Sequence, residues 1–144
     1  MGEEDEAYEL LPLNDLASQV REGDYLAILA FMEEKESNTS KLLQSALAIE
    51  KELQIPVTIG YGPRYLHSIG QLYKGGPDNV LFLVVSELNR GVDISIPREH
   101  WTLKEVLSAQ KKGDIISLLK QGRRVFQAQN LKELSAKFPS SPSK

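Results

Sequence analysis

Cysteine is absent from the 144-residue chain, which removes disulfides, thiolate nucleophiles and zinc–thiolate sites from its available chemistry. Histidine occurs only as His67 and His100, 33 positions apart and without an acidic cluster beside them, so no metal centre is expected. No apolar stretch approaches the roughly 20 residues needed to cross a bilayer. The opening residues, Met1-Gly2-Glu3-Glu4-Asp5-Glu6, are acidic where a secretory signal would be basic. A basic excess is missing too, the net charge being -3, and this argues against any broad attraction to nucleic acid. Neither a G-x-S-x-G elbow nor a phosphate-loop or G-x-G-x-x-G signature is present, which disfavours a hydrolase or a nucleotide-binding protein. These absences lead us to expect a cytoplasmic protein with no cofactor and no nucleic-acid or membrane partner.

What remains is the material of one ordinary domain. Hydrophobic residues make up 41% and charged residues 26%, a globular balance at a length sufficient for a real core. We expect residues 1–9 to be an acidic, flexible lead, residues 10–137 the domain, and the Ser/Pro-rich residues 138–144 a disordered tail.

Within the domain two periodicities alternate. Tyr25–Phe31 and Asn79–Val85 are continuous apolar runs too short for helices, the signature of strands covered on both faces. Val57–Tyr61 is a third strand, Asp93–Ile96 a short candidate stopped by Pro97, and Arg123–Gln129 the last. Between them, Asn14 is expected to cap a short helix over Asp15–Val20. Ser37, Asn38 or Thr39 would cap a longer helix, in which Leu42, Ala46, Ile49 and Leu53 recur as an amphipathic stripe. A helix over about 63–73 follows. Thr102 and Asp114 would cap two further helices separated by Gly113, with Gly122 ending the second, and a small helix covers 131–137. Strands alternating with helices predict an α/β three-layer sandwich around a mostly parallel sheet of about five strands. In such sheets ligands bind beyond the carboxyl ends of the strands, here after Phe31, Tyr61 and Val85.

The chemically informative segment runs from Gly60 to Pro77. Gly60 and Gly62 permit a tight turn and a close approach to a ligand, and Pro63 suits a first helical position. A helix starting there would present free N–H groups to an anion. On it Arg64, His67, Gln71 and Lys74 fall at i, i+3, i+7 and i+10, one polar stripe opposite Tyr65, Ile69 and Leu72. Taken alone, such a stripe is usually a solvated helix face. His100, beside Trp101 in a loop, reads as structural.

The residues Gly62 to Pro77 resemble a segment written G-P-R-F-L-H-S-T-G-Q-L-H-K-G-G-P in the C-terminal sugar isomerase (SIS-type) domain of bacterial transaldolase/glucose-6-phosphate isomerase fusions. Ala109-Gln110-Lys111-Lys112-Gly113-Asp114, Gly122-Arg123-Arg124-Val125 and Gly23-Asp24-Tyr25-Leu26-Ala27-Ile28-Leu29-Ala30 are similar to it in order and spacing, so the resemblance covers about residues 16–129. It implies a SIS-like, nucleotide-binding-like sheet for phosphosugars, and a part in converting glucose 6-phosphate to fructose 6-phosphate. The block is also similar, more distantly, to the histidine-bearing helix of ordinary phosphoglucose isomerases, which places His67 where a histidine assists ring opening. That step needs a group with pKa near 7. Arg64 or Lys74 would hold the charge of a phosphate or an enediolate, with Gln71 and Gly62 as further substrate contacts. The resemblance implies partners as well: a second SIS domain carrying the catalytic glutamate, a transaldolase domain of a longer chain, and a homodimer. Ile69, Tyr73 and Leu107 depart from the family pattern, which has threonine, histidine and lysine there; Lys104 lies one turn before Leu107. The alternative expectation is a non-catalytic phosphosugar-binding or dimerisation module of the same fold.

Overall fold

The computed structural model describes residues 10–61, 79–87 and 103–139. In chain order they form strand β1 (Leu11–Pro12), a 3-10 turn (Leu13–Asp15), helix α1 (Leu16–Gln19), β2 (Tyr25–Phe31), α2 (Glu36–Leu53), β3 (Val57–Tyr61), β4 (Val80–Ser86), α3 (Leu103–Lys120), β5 (Arg124–Ala128) and α4 (Leu131–Lys137). The five strands make one sheet in the order β1-β5-β4-β2-β3, and every neighbouring pair is parallel.

The apolar runs explain the centre of this sheet. β2 and β4 are paired along their whole lengths, Tyr25 opposite Val80 through Phe31 opposite Ser86. Because side chains alternate along a strand, the two runs feed two cores. Leu26, Ile28, Ala30, Leu81, Leu83 and Val85 meet Leu42, Ala46 and Ile49 of α2, with Leu131 and Leu134 of α4 and Leu16 of α1. Ala27, Leu29, Phe31, Phe82 and Val84 meet Leu118, flanked by Ile115 and Leu119 of α3. Among the described residues three helices thus cover one face and α3 the other, the three layers that the two-sided burial predicts. Each fully buried Leu or Phe adds about 1.5–3 kcal/mol of stabilisation, so these strands dominate the fold.

Several local expectations are corrected. The short helix is not capped by Asn14; a 3-10 turn precedes it, and its N-cap Asp15 makes no side-chain cap bond. α2 begins at Glu36 with Lys35 at the N-cap, also without a side-chain bond, while Asn38 reaches back to donate to the Glu33 carbonyl at 2.8 Å. Gly113 does not divide two helices: α3 runs unbroken through it. A helical glycine costs only about 1 kcal/mol, and burial of Leu107 on one side and Leu118 on the other holds the helix together. Gly122, with φ +74°, does end it. Strand β1, Leu11–Pro12, is one that the sequence does not predict, while the Asp93–Ile96 candidate and His100 lie outside the described residues. Phe138, the first residue of the expected tail, is 1% exposed and belongs to the core.

Candidate functional site

The strand order defines where a crevice opens. From β2 the chain crosses by α2 to β3 on one side; from β4 it crosses by α3 to β5 on the other, over the opposite face. The connections therefore diverge at the carboxyl ends of β2 and β4, the topological switch point at which ligands bind in open α/β sheets.

Described residues from several elements shape that edge. The Glu87 N–H donates to the Phe31 carbonyl at 3.3 Å, joining the ends of the two strands. Ser86, the last residue of β4, is only 7% exposed and by strand alternation faces α3. From α3 the Lys111 ammonium donates to the Ser86 hydroxyl at 3.3 Å. Glu87, one residue on, faces the opposite way, and its carboxylate accepts the N–H of Leu131 at 2.6 Å. Burial of Lys111 lowers its pKa below the ordinary lysine value, because desolvation disfavours the charged form. On the β3 side, the Tyr61 and Thr39 hydroxyls lie 2.7 Å apart at the same carboxyl edge. At β5, Asn130 caps α4 by accepting the Glu133 N–H at 2.8 Å, and Glu133 in turn accepts the Gln129 N–H at 2.5 Å, a reciprocal cap that commits both side chains to structure.

Among the described residues, cavities open along α3 and beyond β1 and β5. The cavity along α3, of about 560 Å³, runs beside Glu105, Val106, Ala109, Gln110, Gly113 and Asp114. That beyond β1 and β5, of about 300 Å³, sits between Pro12, Asn14, Gln127 and Glu133. Among the described residues no cluster of three or more His, Asp or Glu side chains is arranged to hold a metal, and no helix is long and apolar enough to cross a membrane.

Gly62, Arg64, His67, Gln71 and Lys74 all lie outside the described residues, as does the side chain of Lys104. Leu107 is 4% exposed, so the position where the resemblance expects lysine is occupied by a core side chain. Sequence reasoning does not single out Lys111 or Ser86. The available signal is positional: Leu107, Lys111, Asp114 and Leu118 recur at i, i+4, i+7 and i+11, and a lysine within the buried stripe of a helix calls for a reason.

No protein-family model and no curated protein matches the chain. Among solved structures it is similar to a hypothetical protein from Thermus thermophilus, with a TM-score of 0.64 and 16% sequence identity. The likeness covers 85% of this chain and 34% of that one, so the chain spans about a third of its structural neighbour. Among the described residues the fold is an α/β three-layer sandwich around an all-parallel five-stranded sheet.

Proposed function

We propose that this domain is one half of a cytoplasmic aldose–ketose isomerase acting on a phosphosugar, with glucose 6-phosphate and fructose 6-phosphate as the substrate pair. The observation that supports the reading is the Lys111 ammonium on Ser86 at the end of β4, beside the topological switch point, a place suited to an anionic metabolite. The resemblance of Gly62–Pro77 supplies the reaction. His67 would move the proton that opens the sugar ring, a task for a group titrating near neutrality. Arg64 or Lys74 would stabilise negative charge on the substrate, with Gln71 and Gly62 beside it. Proton transfer between C1 and C2 then needs a carboxylate, contributed by a second SIS domain; a transaldolase domain and a homodimer complete the expected assembly.

The burial of Leu107 favours a second reading, a domain that binds the phosphosugar without turning it over. One experiment separates the two. In the protein as its gene encodes it, conversion of fructose 6-phosphate to glucose 6-phosphate is measured for the native form and His67→Ala. The isomerase reading expects kcat to fall by about 100-fold or more, with KM little changed. Equal turnover by the two forms refutes the role of His67, and binding without any turnover in the native form leaves the binding module.

A further inference from the structure

We infer that the Lys111 ammonium and the Ser86 hydroxyl form an anion subsite that holds the phosphoryl group of the bound sugar, an assignment that rests on the phosphosugar reading above. It differs from the sequence-based expectation, in which Arg64 or Lys74 carries that charge.

The geometry argues for it in three ways. First, the donors converge. Ser86 accepts one ammonium N–H at 3.3 Å, so its own O–H is left to donate, and two further N–H bonds of Lys111 remain. A phosphoryl group, with three acceptor oxygens, fits such a set. Second, no carboxylate among the described residues forms an ion pair with this cation. Lys111 is partly buried, and its ammonium forms a hydrogen bond to a neutral hydroxyl. Desolvating a cation without a counter-charge is costly. The nearest acid along the chain from Ser86, Glu87, spends its carboxylate on the Leu131 N–H on the opposite face of the sheet. An anionic ligand supplies the missing charge, and lysine acts on phosphate as a point charge. Third, the placement is right. Ile115, Leu118 and Leu119 pack α3 onto the sheet, and Lys111, one turn nearer the helix start, comes level with the final residue of β4, beside the switch point.

The test is a titration of the full chain with inorganic phosphate, read from the side-chain NMR resonances of Lys111 and from calorimetry. Saturable shifts at Lys111 and a raised lysine pKa in phosphate are expected. Lys111→Met should weaken phosphate binding at least about tenfold, and Ser86→Ala about threefold; Lys111→Arg, which restores the charge, should recover most of the affinity. Urea unfolding of each variant confirms that the fold persists, and the Met and Arg forms alone decide the matter if Ser86→Ala fails to fold. Phosphate binding that is undiminished in Lys111→Met, or a native chain that binds no phosphate, overturns the subsite. The outcome is separable from the isomerase reading. Phosphate held through Lys111 without turnover leaves the subsite standing and removes the isomerase. Turnover that depends on His67 but not on Lys111 does the reverse.

Discussion

Arg124 grips Asp24 with both terminal nitrogens, Nη1 to Oδ2 at 2.9 Å and Nη2 to Oδ1 at 3.1 Å. The two side chains are 7% and 3% exposed. Asp24 precedes β2 and Arg124 opens β5, strands that are not neighbours, since β4 lies between them. The pair therefore clamps the amino edge of the sheet across its central strand. It is reinforced by the Arg21 N–H, which donates to Asp24 at 2.6 Å, and by the Gln19 carbonyl, which accepts from Arg124 at 2.8 Å.

Removing one partner of this pair leaves the other charge buried alone. Arg124→Met is expected to cost about 3–5 kcal/mol, read as a lower urea midpoint. Asp24→Leu combined with Arg124→Met should cost clearly less than the sum of the two single changes. Additive losses would mean that the two groups do not act as a unit.

The same pair gives the chain an acid dependence. Burial raises the Asp24 pKa, but the Arg124 hydrogen bond, the Arg21 N–H and the charges of both arginines outweigh it and hold the carboxyl below its ordinary value. A depressed folded pKa contributes stability that is fully present above the unfolded value of about 3.9 and is lost as pH falls through the folded one. The stability advantage of the native chain over Asp24→Asn should thus be constant from pH 7 to about 5 and shrink below about pH 4. An advantage that stays level into strong acid would contradict this.

Two glycines should respond in opposite directions to the same substitution. Gly113 lies inside α3, and a Cβ added there meets nothing within 4 Å. Gly113→Ala should stabilise the chain by about 0.5–1 kcal/mol. Gly122 also has open space, but its φ of +74° is a conformation that side chains rarely adopt, so Gly122→Ala should destabilise by about 1 kcal/mol or more. Thermal unfolding of the pair checks both signs at once.

The contrast between these glycines shows where the sequence is readable. Tyr25–Phe31 and Val80–Ser86 are legible as strands because a short, nearly unbroken apolar run is buried most fully at the centre of a covered sheet. α2 is legible through Leu42, Ala46 and Ile49. Leu11–Pro12 is too short to carry a period, and its pairing with Phe126 and Gln127 is imposed by the rest of the sheet. Gly113 misleads because local propensity is weaker than the packing of α3 on either side of it. The site is less legible than the fold: Lys111 is one of many helix-borne lysines, and only the approach of β4 to α3 distinguishes it.

Phe138 tests the domain boundary. It follows the last helix, yet its ring is buried among the residues that α2 and α4 cover, and its N–H donates to the Leu134 carbonyl at 3.0 Å. Phe138→Ala should cost about 3–5 kcal/mol, whereas truncation after Pro139 should leave the urea midpoint unchanged. A neutral Phe138→Ala would place the ring outside the core.

The proposed site for a phosphosugar is the carboxyl edge between β2 and β4. Titrating the isotope-labelled chain with glucose 6-phosphate, while following its backbone amides by NMR, tests this most directly. Saturable shifts are expected at residues 32–35, at Ser86 and Glu87 and around Lys111, and none with unphosphorylated glucose. Shifts confined to the amino edge near Asp24 and Arg124, equal shifts with glucose, or no shifts at all would contradict it.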